Sequence, residues 1–240
     1  MRGLWFKNNI FISLIAINVD NRRGDILIAV AHPSEAEAVQ KAISDSGCVC
    51  EILVAGVGGA AMSWALQKRF TSGTLPALVI NPGIAGSYVS SLAPGDVVIP
   101  RSDCFADMGV DDNGTFLSLF SANMADPDKW PFSDGRIHCT GRSFDLVAKD
   151  YPLVTAATVN MASGSQQVID RIKDAWSPDI ETMEGAWLAY ACAVMHIKWL
   201  SVRAVSNMVE PRNLKNWNIP LALSRLEKEM TGILRIVKTA

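Results

Sequence analysis

The sequence predicts an α/β fold, a three-layer α/β/α sandwich around a central twisted mixed sheet. Two patterns carry that expectation. Short apolar runs bounded by glycine read as strands covered on both faces, and helix-length stretches alternate with them, the order such sheets require. The chain has 240 residues, 49% of them hydrophobic, enough for one substantial core. Residues 25–240 are therefore read as a single domain.

In order, ILIAVA (26–31) is the first strand and residues 34–44 the first helix, and CEILVAG (50–56) with residues 60–70 repeats the unit. ALVIN (77–81) and DVVIP (96–100) are further strands. Residues 104–135 are richer in Asp, Asn, Ser and Pro and read as an inserted strand pair with loops. RIHCT (136–140), LVTAATVN (153–160), a helix opening near Met183, a strand ending at Asn207 and an amphipathic helix over 221–237 complete the pattern. Ligands of such sheets sit beyond the carboxyl ends of the strands, so polar residues just after strands are the functional candidates.

Twenty-two basic against twenty-four acidic residues give a net charge of −2, with no basic run to track a nucleic-acid backbone. The five cysteines are scattered, without CxxC spacing or a nearby His pair for zinc. They read as reduced thiols, which places the protein in the cytoplasm. Residues 1–24 join basic MRGLWFK to apolar IFISLIAI and imitate a short secretion signal. Asp20 and Arg22–Arg23 follow, no small-x-small site is evident, and a membrane span needs about 20 apolar residues. These residues are expected to form a disordered or loosely attached N-terminal extension, and no membrane partner is expected.

Ser34 with Glu37 fits a capping box. That leaves Glu35 either to complement the helix dipole or to reach the cleft as a general base. GVGGAA (56–61) has the G-x-G-x-x-A form of a dinucleotide fingerprint, but Asn81 stands where an acid is needed, so a tight turn with close helix packing is the simpler reading. NPGIAGS (81–87) reads as a second Gly-rich turn whose N–H groups can face a ligand. It has no Lys, Arg or GK[ST] and is not a P-loop. In TMEGAW (182–187), Glu184 opens an apolar helix, where an ionised carboxylate needs a partner such as sugar hydroxyls. Arg203, alone among apolar residues, needs one too, and Glu35 or Glu184 is the natural choice. His32, His138 and His196 show no metal-ligand spacing, so no metal site is predicted.

Glu35, GVG at 56–58, NPGIAG at 81–86, TMEG at 182–185 and VRAVSN at 202–207, in that order, resemble the purine nucleoside phosphorylase and nucleosidase superfamily over residues 26–238. Within it, FADMGVDDNGTFLSL and SNMVEPRNLKNW look most like the futalosine hydrolases of an alternative menaquinone route. The resemblance implies a nucleoside phosphorylase/hydrolase-like sheet, a homo-oligomer, and cleavage of a purine nucleoside at its N-ribosidic bond by water, without metal or organic cofactor. It assigns Glu35 to the attacking water and Glu184 to the ribose 2′ and 3′ hydroxyls, with Met183 packing nearby. The NPGIAG turn, including Ala85 and Gly86, and the TVNM segment, including Val159 and Asn160, line base and sugar. Arg203 holds the carboxylate network. For the 5′ substituent, an aromatic carboxylate in futalosine, Phe105, Arg212 and Trp217 are candidates by motif neighbourhood.

Asn207 is the departure that matters. Adenine-specific members carry Asp there, whose protonated form donates to N7 while its other oxygen accepts from the 6-amino group. An Asn amide donates to O6 of a 6-oxopurine and accepts from protonated N7. An unmatched buried polar group costs about 1–3 kcal/mol, so Asn207 predicts a 6-oxopurine leaving group. Three other functions stay open: a 6-oxopurine nucleoside phosphorylase, for which no phosphate-binding Arg is evident; a methylthioadenosine or adenosylhomocysteine nucleosidase, disfavoured by Asn207; and a non-catalytic nucleoside-binding protein, disfavoured by the presence of Glu35.

Overall fold

The structure, a computed structural model, describes residues 26–240. The extension read at residues 1–24 lies outside them. Strands β1 (Ile26–Val30) and β2 (Cys50–Val54) run parallel and are joined by α1 (Pro33–Ser46). Pro33 suits the first helical position and starts α1 two residues earlier than a Ser34 cap would. The N-cap is therefore His32, and the third helical residue is Glu35, which accepts the His32 N–H at 3.1 Å. This corrects the expected capping box: its acid is Glu35, and Glu37 is exposed.

After α2 (Gly59–Thr71), strand β3 (Leu78–Ser87) runs straight through NPGIAG, which was expected to be a turn. The pairing with β10 (Lys198–Met208), parallel from Leu78↔Lys198 to Ser87↔Met208, is what keeps that segment extended. Pro82 is tolerated because the ladder to β1 ends at Ile80, leaving that side of β3 free of a ladder bond to lose. β4 (Val97–Asp103) is followed by β5 (Gly109–Asp112) and β6 (Thr115–Ser118), the inserted strand pair. Their turn, Asn113–Gly114, has φ of 52° and 88°, the positive values a tight hairpin demands.

The second half contains β7 (Ile137–His138), α3 (Arg142–Val147), β8 (Leu153–Thr158), α4 (Gln166–Trp176), β9 (Ile180–Thr182), α5 (Gly185–Val194), β10 and α6 (Ile219–Val237). Sequence reading missed α4, although Val168, Ile169, Ile172 and Trp176 make a helical apolar stripe, buried at Ile169 and Ile172. It also missed β9, whose three residues are too few to show a period.

The chain has a mixed α/β fold with a central mixed sheet. β3 and β10 are long enough to change partners along their length: β3 pairs with β1 early and with β9 at Gly86–Ser87, while β10 pairs with β4 at Arg203–Ala204. With β4–β8 and β8–β9 added, five strands close into a ring from which β1 and β2 extend. Leu200, Val202, Ala204 and Val205 of β10 are completely buried at its centre. α1, α3 and α6 pack together in one layer and α2 packs on α5 in another. At that second contact Gly59 lies against the Trp187 indole, where a Cβ would overlap the ring. Among the described residues no helix is long and apolar enough to cross a membrane.

Candidate functional site

The carboxyl ends of β1, β3, β9 and β10 surround a cavity of about 380 Å³, within the range of small-ligand sites. Glu35 reaches it from the first turn of α1. Its Oε2 accepts the Ala31 and His32 N–H groups at 3.0 and 3.1 Å, and Oε1 accepts Ile84 N–H at 3.2 Å. Three amides fix the carboxylate, and Oε1 keeps a lone pair for water. Gly83 makes this approach feasible, because a Cβ there would stand 3.0 Å from Glu35 Oε1 and 3.2 Å from Arg203 Nη1.

Glu184 is the N-cap residue of α5 but makes no side-chain bond to its own helix. Its Oε1 accepts the Gly58 N–H at 2.7 Å instead. The GVGG turn thus serves as an amide donor, and Gly58 has the positive φ of 88° that the turn needs. Burial pushes the Glu184 carboxyl up, while the Gly58 N–H and the Arg203 charge oppose it.

Arg203 is 1% exposed and does not pair with either expected partner. Among the described residues it forms no ion pair; its guanidinium donates to the carbonyl and the side-chain oxygen of Asn81. Asn81 in turn donates to Ala29 O at 2.8 Å, tying β1, β3 and β10 together. The reason is register: Arg203 lies opposite Gly83 on β3, beside the Asn81 amide. Burial lowers the Arg203 pKa, and the charges of Glu184, Glu35 and Asp103 oppose that shift. Arg203 therefore acts on both cavity carboxylates through its field.

A register shift between Val205 and Asn207 marks a bulge in β10 against β3, and bulges of this kind re-aim side chains. Asn207 Nδ2 donates to Met208 O at 2.9 Å and its Oδ1 accepts Ser206 Oγ at 2.7 Å. The Met208 carbonyl accepts only, which fixes which end of the amide is nitrogen. One N–H and one lone pair of Asn207 remain unused. Gly86 makes room for it, since a Cβ there would stand 3.3 Å from Asn207 Nδ2 and 2.8 Å from Val209 Cγ2. Gly86→Ala is expected to displace both side chains and weaken ligand binding with little loss of stability, a difference that paired Kd and Tm measurements would show.

Of the site residues read from the sequence, Glu35, Ala85, Gly86, Met183, Glu184 and Asn207 line this cavity, as do Arg212 and Trp217. Val159, Asn160, Arg203 and Phe105 do not. Val159 is buried in a small cluster with Tyr88 and Ile169, and Asn160 is exposed and bonded to Asp107 at 2.6 and 2.9 Å. Phe105 packs edge-on against Trp187, 4.9 Å between centroids. Sequence reading missed Glu181, which lines the cavity while accepting the Ser163 N–H at 2.9 Å and the Tyr88 hydroxyl. Its position three residues before Glu184 was the available signal.

The profile of the Phosphorylase superfamily matches residues 33–239. The chain belongs to that superfamily. Among its phosphorylase-superfamily relatives, the futalosine hydrolase of Acidothermus cellulolyticus is 29% identical over 236 residues, covering 93% of this chain and 89% of the relative. Two of the solved structures that share the fold are similar over nine tenths of this chain. One is the 5′-methylthioadenosine/S-adenosylhomocysteine nucleosidase of Neisseria meningitidis, in complex with methylthio-immucillin-A: TM-score 0.73, 16% identity, 90% of this chain and 99% of that one. The other is the futalosine hydrolase of Helicobacter pylori: TM-score 0.71, 14% identity, 90% of this chain and 97% of that one.

Proposed function

We propose that the protein hydrolyses the N-ribosidic bond of futalosine, releasing hypoxanthine and dehypoxanthine futalosine in menaquinone biosynthesis. The observation that carries this reading is the gathering of Glu35, Glu184 and Asn207 around one cavity, with one N–H and one lone pair of Asn207 free for the base. Glu35 takes a proton from water as the water oxygen bonds to C1′, the bond from C1′ to the purine breaks with its electron pair passing to the base, and the base takes its proton at N7 from solvent. Glu184 holds the ribose 2′ and 3′ hydroxyls. Asn207 donates to O6, accepts from protonated N7, and stabilises the departing base by hydrogen bonding in place of a carboxylic acid. The likeness to futalosine hydrolases supports the substrate. The proposed reaction needs no metal or organic cofactor.

A phosphorylase would need a cation or donors for phosphate. Arg212 is the one Lys or Arg among the described residues lining the cavity, on the loop after β10 and not in the β1–α1 or β3 segments. We assign it to the 5′ carboxylate, with Trp217 as the apolar wall. Arg212 is exposed, and exposed ion pairs contribute about 0.2–1 kcal/mol. Arg212→Ala is therefore expected to raise KM for futalosine about 1.5- to 5-fold with kcat unchanged. A neutral 5′ group should be insensitive to that change. The same reading places the protein in the cytoplasm as a homo-oligomer. Its five cysteines are free, and Val57 and Trp64 are 58% and 72% exposed, apolar surface for a second copy to cover.

The deciding experiment is purine release from futalosine, inosine and methylthioadenosine, each with and without phosphate. Phosphate-independent hypoxanthine release from futalosine is expected. Phosphate-dependent release from inosine, or adenine from methylthioadenosine, would overturn the proposal.

A further inference from the structure

One buried carboxyl beside the cavity has no part in these roles. Asp103, the last residue of β4, is 1% exposed. Its Oδ1 accepts the Thr158 hydroxyl at 2.9 Å and the Cys104 N–H at 2.8 Å. Thr158 has one proton and donates it to Asp103, so its oxygen accepts from its other two neighbours. Those are the Ala186 N–H at 2.8 Å and the Thr182 hydroxyl at 2.9 Å. Thr182 lines the cavity, and Ala186 belongs to the first turn of α5, which Glu184 opens. On its other oxygen the carboxyl packs against Gly185, where a Cβ would overlap Oδ2. The glycine of TMEG therefore has a steric reason, and Asp103 is in contact with the residue next to Glu184.

We infer that Asp103 is a positioning residue for Glu184, fixing through Thr158 and Gly185 the helical turn from which that carboxylate enters the cavity. It performs this role while protonated. Arg203 faces Glu184, Glu35 and Asp103, and with Asp103 neutral its charge is divided between the two cavity carboxylates alone. Ionised Asp103 would add a third negative charge to a buried cluster with one nearby cation on β10. The other groups facing it are Arg136, ahead of β7, and the adjacent Cys104 thiol, whose own pKa burial raises. Burial pushes the Asp103 carboxyl up to about 7, against the opposing bonds from Thr158 and Cys104 and the charge of Arg203. The inference rests on Glu184 holding the ribose hydroxyls, as proposed above.

Two measurements test it. The first is the pH profile of KM and kcat for purine release by the full chain and by Asp103→Asn and Asp103→Leu. In the parent, KM should rise about tenfold as pH passes about 7 while kcat changes less. Asp103→Asn, which mimics the neutral acid, should lack that rise, and Asp103→Leu, which cannot bond Thr158, should raise KM at every pH. An unchanged inflection in Asp103→Asn, or an unchanged KM in a folded Asp103→Leu protein, would overturn the inference. The second measurement needs no turnover: the Ala186 amide resonance should titrate near neutrality in the parent and not in Asp103→Asn. Absence of purine release from every nucleoside would defeat the proposed function, and the Ala186 titration would still decide the Asp103 link, an amide that does not titrate in the parent defeating it.

Discussion

Glu35→Gln is expected to lower kcat by about 100- to 10,000-fold, the usual contribution of a positioned general base, while KM changes little. Glu35 also closes the capping box of α1 and accepts three backbone N–H groups, so the substitution has a structural cost as well. Magnitudes separate the two effects. Loss of an N-terminal cap costs about 1 kcal/mol, whereas a 100-fold fall in kcat corresponds to about 2.7 kcal/mol in the barrier. A small fall in Tm with near-normal turnover would leave Glu35 a cap and nothing more. A large fall in kcat in a protein still folded at the assay temperature would identify it as the base.

Asn207→Asp is expected to lower hypoxanthine release about 5- to 150-fold, the equivalent of ~1–3 kcal/mol for a mismatched buried polar group. The local geometry makes the loss specific. A carboxylate oxygen in place of Nδ2 would face the Met208 carbonyl at the 2.9 Å now spanned by a hydrogen bond, so the new side chain must bind a proton to fit. That proton would be committed to Met208 O or offered to the base, not both. Turnover of 6-aminopurine nucleosides should become measurable at low pH, where the acid is neutral. An unchanged preference for 6-oxopurines across pH would refute the role given to Asn207 in base recognition.

Asp103 adds a test of stability whose sign follows from its raised pKa. A buried acid titrating at about 7 instead of 3.8 contributes stability that is fully present below the lower value and is lost as pH rises through the upper one. The Tm of the parent should therefore fall toward neutral pH, and Asp103→Asn should flatten that part of the curve. Glu184, shifted in the same direction by burial, contributes with the same sign.

The alternation of apolar strands and helices, an inserted strand pair within residues 104–135 and the strand-end positions of Glu35 and Asn207 were legible in the sequence, because strand burial, loop composition and the βα order are local properties. The order of the motifs was equally legible and pointed to the superfamily. What only the tertiary structure decided is how those positions meet. NPGIAG is extended because β10 pairs along it, Arg203 bonds Asn81 because register sets it opposite Gly83, and Asn207 is aimed by a bulge that has no counterpart in composition. The Asp103–Thr158–Ala186 chain joins residues 28 and 55 positions apart, a contact created only when β4 and β8 pair and α5 packs across them. Hydrophobic pattern determines which segments are buried; which buried polar groups find one another depends on long-range pairing, and the geometry of this site rests on that pairing.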